Sequence, residues 1–401
     1  MTGICAGQLP RFQLHNLVLP VLFAVGVAAV LTTGFVSVAP NRLLSGRPIG
    51  LFAAADMRLG AAIAITAVFL LLTSFAPPRA LQRAAGLLAG GIFLLVLGAS
   101  GEAAAFLAAG APSLARISLG AGFWILLGTS ALALVDALQR AGAGPGARFA
   151  VIAVLAGAAA VMADAGLFDA LSIAREYRTR HDLFATALVR HVVLVAAAVG
   201  PAVLIGVPLG VALVRHPRRQ GPLFAVLNLL QTIPSIALFG LLLVPLSALA
   251  NAVPTLAQLG VGGIGPAPAV IALILYALLP IVRNSVAGIA GVDPAVINAA
   301  RGMGMTRRQL FWRVELPLAL PLLLAGLRIV TVQAVGLAVV AALIGAGGLG
   351  SFVFEGLGQY AADLVLLGAL PAIGVALAAD FLLQMLSALA SPRPPTMISS
   401  P

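Results

Sequence analysis

Five charged side chains lie within or at the ends of long apolar runs: Asp136, Asp164, Arg190, Arg328 and Asp380. A charge in hydrocarbon is costly, so each is a candidate for a proton relay, a substrate path or a structural pair. Most sit near the ends of their runs, where a side chain reaches the interface. Arg328 and Asp380 lie deeper and are placed to pair across two helices. The densest polar stretch is elsewhere, from Val292 to Pro317, VDPAVINAARGMGMTRRQLFWRVELP, with the four arginines Arg301, Arg307, Arg308 and Arg313. Asp293 is a good helix N-cap, and Pro294 suits the first helical position. Ala299 and Ala300 favour helix. Gly302 and Gly304 weaken it, and Thr306 is placed to cap a second helix running into Leu310, Phe311 and Val314. The pattern predicts two short helices joined by a bend and held at a membrane surface by basic side chains. A side chain at Gly304 is expected to straighten that bend or to block close approach of a partner.

Other chemistries find no support. The single Cys5 allows no internal disulfide and belongs to no metal or redox motif, so no metal and no cofactor are expected. Gly345 to Gly350 formally match G-x-G-x-x-G, but no strand precedes them, so they read as a glycine-rich exit from a membrane helix. The sequence contains no G-x-x-x-x-G-K-[ST], so the chain is not expected to hydrolyse ATP by itself. The net charge is +11, yet the basic residues, all arginine, are spread singly and in pairs between apolar runs. That is the pattern of loop anchors and not of a nucleic-acid patch. An aromatic cage for a cation is not visible, because Trp124, Trp312, Tyr177, Tyr276 and Tyr360 are scattered.

The elements that must position these residues are membrane helices. The 401 residues are 61% hydrophobic and 9% charged, whereas soluble domains are about a quarter charged. A span needs about 20 mostly apolar residues. Ten segments qualify, near 17–38, 59–76, 84–100, 118–138, 149–165, 187–214, 222–247, 267–283, 318–344 and 363–389. The first has a longer apolar run than a signal peptide and is read as a retained helix. Arginines fall two to one on the faces that share a side with the N-terminus, which predicts N-in and C-in. The expected organisation is an N-terminal region of five helices over 1–165, an external interfacial segment over 166–186 with a short amphipathic helix, five further helices over 187–390, and a tail over 391–401. The expected fold is an all-α polytopic membrane protein with about ten transmembrane helices. Within the seventh segment, Leu230-Gln231-Thr232-Ile233-Pro234-Ser235 breaks the backbone ladder. Gln231, Pro234 and Ser235, with Tyr276 on the next segment, are pathway candidates. A kink used only for packing is the alternative.

The polar stretch resembles the cytoplasmic EAA loop of ABC-importer permeases. That pattern is Glu-Ala-Ala, three residues, Gly, nine residues, Ile, one residue, Leu-Pro. Here it reads Asn298-Ala299-Ala300, Gly304, Val314 and Leu316-Pro317, at the same spacing. Asn298 stands in place of Glu; it keeps hydrogen-bonding capacity and loses the charge. With Gln231 to Ser235 and the run Ala272 to Asn284, the stretch looks like the osmoprotectant branch of these permeases, which imports glycine betaine, choline and related quaternary amines. The five N-terminal helices are similar to those of a sub-group with an extended N-terminus. The resemblance implies a type I permease core in the C-terminal five helices, with a coupling loop over 284–317. Asn298, Ala299, Ala300, Gly304, Leu310, Leu316 and Pro317 would couple it to a separate cytoplasmic ABC ATPase subunit. It also implies a periplasmic or extracellular substrate-binding protein, a second permease copy or related chain, surrounding lipid, and location in the bacterial plasma membrane. The chain would be a transport subunit, not an enzyme. An amino-acid cargo for the same machine remains open, and so does a proton-coupled secondary carrier using Asp164 or Asp380.

Overall fold

Hydrocarbon gives the backbone no water to bond, so a chain this apolar must close its own hydrogen bonds as helices. The computed structural model describes residues 15–41, 44–75, 79–112, 114–258 and 260–390. Cys5, Arg11, Arg42, Arg393 and the tail 391–401 lie outside the described residues, and of Arg79 only the backbone is described. The chain divides into two compact units, one ending at Thr179 and the other beginning at Arg180.

The first unit contains α1 (Val18–Thr32), β1 (Val36–Ala39), β2 (Arg47–Ile49), α2 (Leu51–Ala54), α3 (Met57–Leu72), α4 (Arg79–Ala109), β3 (Arg116–Leu119), α5 (Ala121–Arg140), α6 (Pro145–Asp164) and α7 (Ser172–Thr179). The sheet is an addition to the all-α expectation. Its order is β2-β1-β3, both pairings antiparallel, with Val36 opposite Ile49 and Leu119. Strands of three and four residues are too short to show alternation in a sequence. Phe35, Val36, Ile117 and Phe123 are fully buried around the sheet, and the rings of Phe35 and Phe123 meet edge-on at 5.9 Å. The amphipathic helix expected within 166–186 is α7. Its Glu176 is buried and pairs with Arg116 at 3.2 Å, while Arg175 donates to the Ala115 carbonyl at 3.1 Å. Just before α7, a hydrogen bond from Arg178 holds the Asp169 carboxyl below the usual carboxylate range.

The second unit contains α8 (His181–Arg215), α9 (Gln220–Thr232), α10 (Ser235–Ala252), α11 (Pro254–Gln258), α12 (Pro266–Ala290), α13 (Pro294–Gly302), α14 (Arg307–Leu310), a π turn (Phe311–Glu315), α15 (Leu316–Val340), α16 (Gly350–Gly358) and α17 (Ala362–Ala390). Each of the ten predicted segments contains a helix. Among the described residues nine helices are long and apolar enough to cross a membrane; α1, with 15 residues, is shorter. The segment 222–247 is two helices, α9 and α10, because Pro234 carries no amide hydrogen to continue the ladder.

In this second unit α12 is central, packed against both α8 and α15, which also touch each other. Between helices in lipid the hydrophobic effect is weak, so close backbone approach and dispersion must hold them. Small residues permit it: Ala198 and Ala202 of α8, Ala272 and Ala277 of α12, and Ala334 and Ala338 of α15 are buried. A Cβ on Gly210 would lie 2.4 Å from the Cβ of Ser285, and one on Gly326 would lie 2.6 Å from that of Asn284. Successive residues of α12 are thus clamped by two different helices. A Cβ on Gly200, also in α8, would meet nothing within 4 Å.

Gly210→Ala should therefore destabilise the protein by about 1–3 kcal/mol through overpacking. Gly200→Ala should be neutral or stabilising by up to about 1 kcal/mol through helix propensity. Thermal unfolding of the two variants in detergent tests this; equal melting temperatures would mean that α8 and α12 are not in tight contact at Gly210.

Candidate coupling loop and helix break

The surface loop is built by three local devices. The Asp293 side chain accepts from the Ala295 amide at 2.8 Å and starts α13. At the other end of α13, Met305 N–H donates to the Ala300 carbonyl and Gly304 N–H to the Arg301 carbonyl. With Gly304 at φ +77°, this is the paired closure of a Schellman motif. Thr306 and Gln309 then form a reciprocal capping box that starts α14, at 3.3 and 2.9 Å. The predicted two helices and bend are present. What constrains Gly304 is its left-handed backbone, since the space around it is open.

The residues of the EAA-like pattern divide by burial. Ala300 and Leu310 are buried, where α13 folds onto α14 and the π turn. Asn298, Ala299, Gly304 and Pro317 are exposed, and Leu316 is half-buried at the start of α15. Beside them Val296, Met303 and Trp312 are exposed, Met303 at 72% and Trp312 at 59%. All four arginines of the loop are exposed too. The loop therefore presents apolar side chains within a basic rim.

Sequence reasoning missed the loop's attachment. Phe311–Glu315 forms a π turn, and Glu315 at its end is buried and ion-paired with Arg215, the last residue of α8. A signal existed: from Asn284 to Ile344 the only acidic residues are Asp293 and Glu315, and Glu315 stands at the mouth of an apolar helix. The opposite end of α8 is also tied. Arg180 donates to both carboxylate oxygens of Glu355 on α16, at 2.7 and 2.8 Å.

The four pathway candidates include three that meet at one place. Pro280 in α12 has no amide hydrogen to give the Tyr276 carbonyl. The Gln231 side-chain amide donates to that carbonyl at 2.7 Å. In return the Tyr276 hydroxyl donates to the carbonyl of Ile233, just before Pro234. The break between α9 and α10 and the proline in α12 thus supply each other's missing partners. Tyr276 is only 6% exposed, and Ser235 is half-buried as the first residue of α10.

Of the remaining intramembrane charges, Arg328, Asp380, Asp136 and Arg190 are partnered. Arg328 and Asp380 pair across α15 and α17 as expected, with Nη2 2.7 Å from Oδ2. Asp136 accepts from Asn16 at 2.6 Å and from Arg140 at 2.9 Å. Arg190 donates to the Ala346 carbonyl at 3.0 Å, in the glycine-rich exit that follows α15. Asp164 is exposed at the last turn of α6.

Two family models match the chain. The N-terminal domain of the ABC transporter permease YehY matches residues 14–174, and the binding-protein-dependent transport system inner membrane component matches residues 202–392. The osmoprotectant import permease protein OsmW of Salmonella typhimurium is 42% identical over 51% of this chain and 90% of its own length. The carnitine transport permease protein OpuCB of Listeria monocytogenes is 40% identical over 51% of this chain and 86% of its own. The choline transport system permease protein OpuBB of Bacillus subtilis is 37% identical over 49% and 82%.

If the reciprocal bonds hold the helix break, Tyr276→Phe and Gln231→Leu should each cost about 1 kcal/mol, since each leaves a carbonyl unpaired at a proline. Thermal unfolding in detergent measures this. Unchanged melting in both variants would mean that packing alone holds the break.

Proposed function

This chain belongs to the family of binding-protein-dependent ABC-transporter permeases, and from that premise we propose that it forms the pathway of an ATP-driven importer for a quaternary-amine osmoprotectant. It is a predominantly helical, multi-pass membrane protein and a transport component. Family membership implies two kinds of partner, an ATPase and a substrate-binding protein. In our reading the permease core lies within the second unit, the first five helices are an N-terminal extension, and a second permease copy completes the pathway. The membrane is the bacterial inner membrane, with both termini in the cytoplasm.

The observation that carries the proposal is the exposed face of the α13–α14 loop. Two helices are fixed at a set angle by a left-handed glycine and a capping box, and they display Val296, Ala299 and Met303 within a rim of arginines. Such a face suits a groove with an apolar floor and acidic walls on the ATPase subunit. Asn298, Ala299 and Gly304 touch that groove in this reading; Ala300 and Leu310 hold the loop together, and Leu316 and Pro317 carry its movement into α15. The cargo class is supported by the relatives, named for osmoprotectant, carnitine and choline transport. Selectivity is assigned to the binding protein, because Tyr276 is buried in the helix break and Trp312 lies on the loop. A proton-coupled carrier gains no support from the charges: Asp380 is paired with Arg328, and Asp164 is exposed at a helix end.

The test is uptake of radiolabelled glycine betaine by proteoliposomes containing this chain, with and without its ATPase and binding protein. Uptake that needs every component and ATP is expected. ATP hydrolysis stimulated by the binding protein, without betaine uptake, would keep the importer and change the cargo. Uptake by the chain alone under a proton gradient would overturn the importer.

Gly304→Asp should abolish uptake while normal amounts of protein reach the membrane. Asp tolerates the left-handed conformation, so the loop keeps its shape while an added acid faces the ATPase. Gly304→Asn should retain more activity. Wild-type uptake by the Asp variant would show that this face does not dock.

A further inference from the structure

We propose that the Arg215–Glu315 ion pair is the link through which movement of the surface loop reaches α8, which makes Glu315 a positioning residue of the transport cycle. This rests on the permease reading above. Glu315 is one of two buried carboxylates among the described residues, the other being Glu176 of the first unit. Its partner Arg215 ends α8, a continuous helix of 35 residues. The two residues are 100 positions apart, so no short covalent path joins the parts that they connect.

The geometry explains why the pair matters mechanically. The loop is joined by backbone to α12 on one side and to α15 on the other, so those helices follow it directly. α8 has no such connection. It packs on α12 at close approaches such as those of Gly206 to Ile281 and Gly210 to Ser285, van der Waals contacts that carry no directional hydrogen bond. A charged hydrogen bond at its loop-side end, between the buried Glu315 carboxylate and the more exposed Arg215 guanidinium, is directional and resists sliding. The π turn sets the direction. One extra residue in a turn rotates the succeeding residues by roughly 100° relative to an unbroken α-helix. Glu315 thereby faces α8, while Trp312 and Arg313 on the same turn remain exposed. The far end of α8 is held by Arg180–Glu355, so a push at Arg215 acts on a helix with a fixed opposite end.

Glu315→Gln keeps the shape and one hydrogen bond but removes the charge. Two measurements decide the proposal. The first uses the full chain with Cys5 replaced by Ala and spin labels on His216→Cys and Arg308→Cys, both exposed positions flanking the pair. Pulsed electron resonance should give one narrow distance with Glu315 present and a distribution at least about twice as broad with Glu315→Gln. An equally narrow distribution would overturn the link, whatever the chain transports. The second measures transport and ATP hydrolysis in the reconstituted complex. Binding-protein-stimulated ATP hydrolysis should stay within about twofold of wild type, while substrate moved per ATP falls about tenfold or more. A parallel loss of both, with less ATPase co-purifying, would assign Glu315 a merely structural role and overturn the proposal. Wild-type chain without ATP-driven uptake would remove the permease reading, and the distance measurement would still decide whether the pair ties the loop to α8.

Discussion

Every polar group of a backbone in hydrocarbon must find its partner within the protein, and the helix-breaking residues of this chain show how that requirement is met. Prolines lie inside α8, α10, α12, α15 and α17. At Pro280 the freed carbonyl of Tyr276 takes a hydrogen from Gln231, and at Pro234 the exposed carbonyl of Ile233 takes one from Tyr276. Two defects that would each be costly alone become one cross-link between α9, α10 and α12. Gln231 and Tyr276, two of the side chains suited to a substrate path, each donate to a backbone carbonyl at this break.

Charge is used in the same way. Arg328 with Asp380, Arg180 with Glu355 and Arg215 with Glu315 each join two elements that are distant in sequence. Partly buried ion pairs contribute little net stability, because desolvation offsets attraction, but breaking one leaves an uncompensated charge. They therefore fix geometry more than they add energy. Between them, α12 is held by close approaches of small residues, in which Ser285 and Asn284 seat against Gly210 and Gly326. The surface loop is the reverse: Asp293, Gly304, Thr306 and Gln309 make it rigid on its own, so a force on its exposed face is passed on and not absorbed.

Much was legible before the structure. Run length gave the membrane helices, because the bilayer sets a length that apolar residues must fill. Asp293, Pro294, Gly304 and Thr306 gave the loop, because caps and left-handed turns are local and depend on residues within about four positions. Arg328 and Asp380 were readable as a pair from their depth in adjacent runs. The sheet of the first unit was hidden, since β1 and β3 are too short for a pattern and pair across a long separation. Glu315 was visible as an isolated acid, but nothing near it in the chain names Arg215.

The sequence by itself thus determined which segments enter the membrane, where the surface loop starts, bends and stops, and to which family the pattern belongs. These rest on solvent transfer and nearest-neighbour hydrogen bonding, which a linear chain encodes directly. Only the tertiary structure decided that Gln231 serves the carbonyl left by Pro280, that Glu315 turns toward α8, and that Ala300 and Leu310 are inside the loop while Ala299 is outside. Those depend on how α8, α12 and α15 cross. The crossing is set by the close approaches at Gly210 and Gly326, contacts among residues from separate segments that no local spacing specifies.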